Sequence, residues 1–106
     1  MTDRAALLAS LAAAAAELPD ASSGAGDQAT IEWTRAGVRF AVLRGTSVDL
    51  RVGALIGAAA VRTPDTAASD LGPDWVSFAP SELDDHARDR LGAWFAAACR
   101  RTQPGA

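Results

Sequence analysis

The chain contains no lysine: all ten basic residues are arginines, set against thirteen acidic ones, for a formal net charge of −3. Phosphate neutralisation supplies most non-specific affinity for nucleic acids, so this balance excludes a generally basic surface and leaves only a local arginine cluster as a route to such binding. Cys99 is the only cysteine, which excludes an intramolecular disulfide and a thiolate zinc cluster drawn from this chain alone. That usage fits a reducing cytoplasm. His86 is likewise the only histidine. Long apolar runs are also missing, and none approaches the roughly 20 residues needed to cross a bilayer. The run Ala5–Ala16 has the length of a signal-peptide hydrophobic segment. However, Asp3 offsets Arg4 ahead of it, alanine dominates it and Glu17 follows it, so it reads as a helix instead. No phosphate-cradling loop is present: Gly24 and Gly26 precede a strand rather than a helix, and no lysine follows. No cofactor is implied.

Apolar residues make up 49% of the 106 residues, but many are alanines, so a core must lean on a few large side chains. Trp33, Phe40, Trp75, Phe78, Trp94 and Phe95 are the candidates, with Trp75 and Trp94 expected in one shared core. The length fits a single domain, residues 1–106.

Asp3 is placed to cap a first helix, residues 1–18, in which Leu7, Leu11 and Leu18, with Leu8 beside them, fall at helical spacing. Pro19 stops it, and residues 19–28 read as a flexible linker of turn-forming residues. From Ala29 the period becomes two. Ile31 and Trp33 alternate with polar neighbours, Ala36 and Gly37 allow a tight turn, and Val38, Phe40 and Val42 alternate again. After Gly45 and Thr46, Val48, Leu50 and Val52 face one way while Asp49 and Arg51 face the other. Residues 53–61 suggest one or two helical turns stopped at Thr63-Pro64. Residues 75–79 form a fourth strand, and Ser81 opens a last helix carrying Leu83, Ala87, Leu91, Trp94, Phe95 and Ala98 on its buried stripe, with Asp84 in the capping-box position. Residues 103–106 are expected to fray. The expected fold is α+β: a four-stranded antiparallel sheet with helices on one face, in the order helix, three strands, short helix, strand, helix.

Residues 48–52 (VDLRV), 61–66 (VRTPDT), 72–78 (GPDWVSF) and 93–95 (AWF) together resemble small bacterial proteins labelled "luciferase family", and more distantly the MmcQ/YjbR-like proteins. The resemblance begins at Trp33 and covers about two thirds of the chain. It implies a strand pair, a third strand ending in a basic residue, a Trp-Val strand and a closing helix. It also implies a nucleic-acid-binding face, for which Arg35, Arg39, Arg44, Arg51 and Arg62 are the candidates. The "luciferase" label brings no light-emitting chemistry to these residues.

Catalytic pairs are hard to assemble. His86 and Cys99 lie thirteen positions apart on one predicted helix, roughly 20 Å along its axis, too far for a thiol-imidazole dyad. Asp65, Asp70 and Asp74 lack the alternate-residue spacing of a calcium loop and suit turns. The segment from Arg62 to Trp75 is longer than most connections, and such loops often carry function. Arg51, Arg62, Thr63, Asp65 and Trp75 are therefore the candidate ligand-binding residues, with Trp75 as an aromatic wall and Arg51 as a cation. The competing expectation has Trp75 packed beneath the loop and Arg51 paired with Asp49 or Glu32. Three functional readings follow. The first is a non-enzymatic binding module that meets a protein partner or its own copy through a sheet face or edge. The others are a nucleic-acid-binding domain and a small-ligand protein or enzyme built on the 62–75 loop.

Overall fold

A computed structural model describes residues 2–102; the expected fraying of residues 103–106 lies outside the described residues. Three α-helices, α1 (Arg4–Ala16), α2 (Ala54–Ala60) and α3 (Asp85–Arg101), accompany six strands. These are β1 (Ala21–Ala25), β2 (Ile31–Arg35), β3 (Val38–Arg44), β4 (Ser47–Leu50), β5 (Thr66–Ala68) and β6 (Val76–Phe78). All pairings are antiparallel, and the order across the sheet is β1-β2-β3-β4-β6-β5. The α+β class and the open antiparallel sheet match the sequence expectation, but the sheet has six strands rather than four.

Both additional strands are edges made of small residues. β1 lies within residues 19–28, read from sequence as slack; its backbone pairs with β2 from Ala21 opposite Arg35 to Ala25 opposite Ile31. β5 lies within the segment read as a loop and pairs with β6. Neither has the apolar alternation that announces a half-buried strand, because an edge of Ala, Ser, Gly and Thr buries little side chain and is held by its ladder hydrogen bonds.

The turns follow the residues. Ala36 and Gly37 both adopt positive φ, 51° and 81°, as a two-residue hairpin turn requires. The expected alternation of β3 is broken by a bulge, marked by the register shift between Trp33 and Thr34. Trp33 pairs with Ala41 and Thr34 with Arg39, so Phe40 is the extra residue, and Phe40 and Ala41 are both buried. An inserted residue re-aims a side chain. Phe40 thereby reaches the helix-covered face, where its ring meets Phe95 at 5.2 Å.

Asp3 caps α1 as expected, accepting a hydrogen bond from the Ala5 amide at 3.1 Å. The cap of α3 is Asp84 rather than Ser81, accepting from the Ala87 amide at 2.9 Å. Ser81 is engaged elsewhere: its amide and hydroxyl both donate to the Asp65 carboxylate, at 3.0 and 3.2 Å. α1 and α3 pack together on one sheet face, burying Leu7, Leu11, Ala87, Leu91, Phe95 and Ala98 against Trp33, Phe40, Leu43, Val48, Leu50 and Phe78. Trp94 is only half-buried at the margin of this core, edge-on to Phe78 at 5.4 Å. Trp75 is buried outside that core cluster. The two tryptophans therefore do not share a core, because Trp75 neighbours the inward-facing Val76 and its side chain leaves by the opposite face of the sheet.

Candidate functional site

Antiparallel register determines what the second sheet face presents. Leu50 pairs with Ala41 and with Val76, so the adjacent Arg51 and Trp75 lie side by side on the face away from α1 and α3. Arg39, pushed to that face by the bulge, completes the row, and its guanidinium lies 5.5 Å from the centre of the Trp75 ring. Arg39, Arg51 and Trp75 line a recess of about 380 Å³ whose far wall is residues 71–74. Sequence reasoning brought Arg51 and Trp75 together here; Arg39 is the addition, and only the bulge puts it there.

Both readings of Trp75 meet at this place. The indole is 9% exposed and lies under Arg39, so it packs as a structural residue while its edge closes the recess. The expected pairing of Arg51 with Asp49 or Glu32 is not observed. Glu32 binds Arg39 at 3.0 Å and Asp49 binds Arg44. Among the described residues no carboxylate lies within 4.0 Å of the Arg51 guanidinium.

Arg44 ties the 69–75 loop to the sheet. Its Nε is 2.5 Å from an Asp49 oxygen and its Nη2 is 2.8 Å from Asp70. The Asp49 side chain is fully buried, and its charge is met by the Arg44 guanidinium. Hydrogen bonding with Asp70, and then with Asp49, holds the Arg44 pKa above its ordinary value, and the same bond holds the Asp70 carboxyl below the usual range. Within the loop, the Trp75 amide donates to the Gly72 carbonyl and the Leu71 amide to the Ser69 hydroxyl, both at 3.1 Å.

The other sequence candidates lie apart from this recess. Arg62 is exposed. Thr63 donates to the Ala60 carbonyl at 2.6 Å and meets the Thr66 hydroxyl at 3.0 Å, closing the C-terminus of α2. Asp65, with φ of 65°, binds Ser81. Asp65 lines a separate recess, also about 380 Å³, with Glu82, His86 and Arg90. Its carboxylates at Asp65 and Asp84 are engaged in holding Ser81 and capping α3. No group of three potential metal ligands occurs among the described residues. His86 is exposed and Cys99 is buried, with burial pushing the thiol pKa up, so they form no dyad.

Three of the five arginines named for a basic face are bound to carboxylates: Arg35 to Asp20, Arg39 to Glu32, and Arg44 to Asp49 and Asp70. The charge these residues could offer a phosphate backbone is thereby largely offset.

Sequence reasoning missed the surface beside β5. Residues 54–61 are apolar throughout, which reads as a buried piece, yet Leu55 is 88% exposed and Ile56 and Val61 are 40% and 41% exposed. Only Gly57 and Ala60 of α2 are buried. A shallow groove of about 240 Å³ continues this surface past Ala58 and Val61 to Ala68 and Pro73. No helix among the described residues is long and apolar enough to cross a membrane.

No family model, curated protein or solved structure matches the chain.

Proposed function

We propose that this domain is a non-enzymatic interaction module that associates with a second copy of itself through α2 and the β5 edge. The observation that carries the reading is Leu55, 88% exposed on a helix with no polar residue, beside an unpaired strand edge. Soluble monomers seldom leave contiguous apolar surface of this kind uncovered, and where they do it commonly marks a contact.

The strand edge supplies direction. The Asp65 carbonyl and the Ser69 amide both bond to the β6 side of the ladder, so the backbone groups of the alternate residues Thr66 and Ala68 point outward. β5 contains no charge, proline or bulge to deter pairing, the devices that natural edges use against it. An antiparallel edge is its own complement about a twofold axis, since the same donors and acceptors recur on the partner. Three residues of ladder are too few alone. Leu55 and Val61, with Ala54 and Ala58 on the flank of α2 that faces Ala68, would supply the apolar area, in an interface that needs roughly 800 Å² per partner to be stable.

The test is sedimentation equilibrium across the micromolar range, with the wild type beside Leu55→Arg. The proposal expects a concentration-dependent monomer–dimer equilibrium in the wild type and a folded monomer in the variant. A wild type that stays monomeric throughout that range overturns it.

A further inference from the structure

We propose that the recess between Arg39, Arg51 and Trp75 is a binding site for a small monocarboxylate with an apolar body. The recess lies on the second sheet face; it shares Pro73 and Trp75 with the groove beside α2 and β5, whereas Arg39 and Arg51 line the recess and not the groove. Its volume of about 380 Å³ sits at the small end of ligand sites, which run from roughly 300 to 1,000 Å³.

Charge defines the class. Two guanidinium groups border one recess, and their states differ: Arg39 is held by Glu32 on one side and Trp75 on the other, whereas Arg51 has no carboxylate partner among the described residues. A fixed arginine beside an unpaired one is suited to a carboxylate, because the planar fork of Arg51 donates two parallel bonds and is always charged. The Arg51 backbone is itself anchored, its amide donating to the Phe40 carbonyl at 2.9 Å, so the stem of the side chain starts from a fixed point. Glu32 already offsets Arg39, and Asp74 adds a further acidic residue to the wall. The two arginines and two carboxylates balance, so the recess has no surplus charge for a doubly charged anion, and recognition of a single carboxylate rests on the directional fork of Arg51 rather than on net charge. Leu71, Pro73 and the edge of Trp75 provide apolar contact for the rest of the ligand.

The experiment follows the Arg51 Nε–H and the Trp75 indole N–H by NMR during titration with benzoate, benzamide and inorganic phosphate. It uses the wild type, Arg51→Gln, and Arg62→Gln as a control outside the recess. Running the same titrations on Ala68→Pro, which removes an outward N–H from the β5 edge, separates ligand binding from self-association. Saturable benzoate shifts at millimolar concentration, weakened about tenfold or more by Arg51→Gln and unchanged by Arg62→Gln, are expected for a charge-assisted guanidinium–carboxylate contact. Benzamide binding as well as benzoate overturns the carboxylate requirement. Phosphate binding as tightly as benzoate overturns the monoanion, and absence of saturable shifts for all three overturns the site.

Discussion

Arg44 of β3 reaches the carboxylate of Asp49 on β4 at 2.5 Å, and that carboxylate is completely buried on the sheet face opposite the main helices. Removing the cation leaves a buried negative charge with no compensation, whereas neutralising the anion leaves Arg44 with Asp70. Breaking a buried pair from one side typically costs about 3–5 kcal/mol. The Arg44 side chain is 36% exposed, so solvent screening reduces this to about 2 kcal/mol for Arg44→Ala. Asp49→Asn should cost less. Urea unfolding of both variants checks the order, and an equal or reversed ranking contradicts the arrangement.

Acid should loosen the 69–75 loop. Hydrogen bonding to Arg44 lowers the Asp70 pKa below its ordinary value of 3.8. The folded state therefore binds this proton less readily than the unfolded one, so the contribution is complete above the ordinary value and is lost as pH falls through the lowered one. Amide exchange at Leu71 and Trp75, taken relative to the intrinsic rate at each pH, should accelerate below about pH 4 through this linkage. In Asp70→Asn that acceleration should be absent.

Trp33 and Phe95 meet edge to face at 5.7 Å between fully buried positions. Trp33→Ala should cost about 3–5 kcal/mol, as for a buried aromatic truncated in a packed core. Trp94→Ala should cost distinctly less, since Trp94 lies at the core margin. Thermal denaturation of the two variants checks this, and the ranking matters because sequence spacing alone puts Trp94 on the buried stripe.

The Cys99 thiol is buried and its pKa is pushed up by that burial, which reduces the thiolate that reacts. Labelling by a disulfide reagent at neutral pH should be slow in the folded protein and fast in denaturant. Rapid labelling of the native chain would show the C-terminal part of α3 opening readily.

Much of this molecule is visible in the chain, for physical reasons that differ by element. The alternation of Val48 and Leu50 against Asp49 and Arg51 is explicit in β4, because one face of that strand is fully buried and every residue must choose a side. It also places Arg51 beside Trp75. β1 and β5 are silent because edge strands of small residues carry their information in the backbone. Phe40 defies its period because a bulge requires long-range pairing with Trp33 and Thr34 that no local window contains. Arg62, Thr63 and Asp65 separate from Arg51 for a related reason. Once β5 turns the segment into a hairpin, its beginning closes α2 and braces Ser81, while its end walls the recess. The exposed α2 misleads in the opposite direction, since an apolar helix with no polar face normally signals burial.

Self-association through β5 is tested most directly by hydrogen exchange at the Thr66 and Ala68 amides as protein concentration is raised. These amides point away from β6, so in a monomer they exchange freely, and pairing with a second copy should protect them in proportion to the dimer formed. The account predicts protection of both amides at high micromolar concentration, lost on dilution and absent in Leu55→Arg at any concentration. Unprotected Thr66 and Ala68 amides in a sample that sedimentation shows to be dimeric would contradict it.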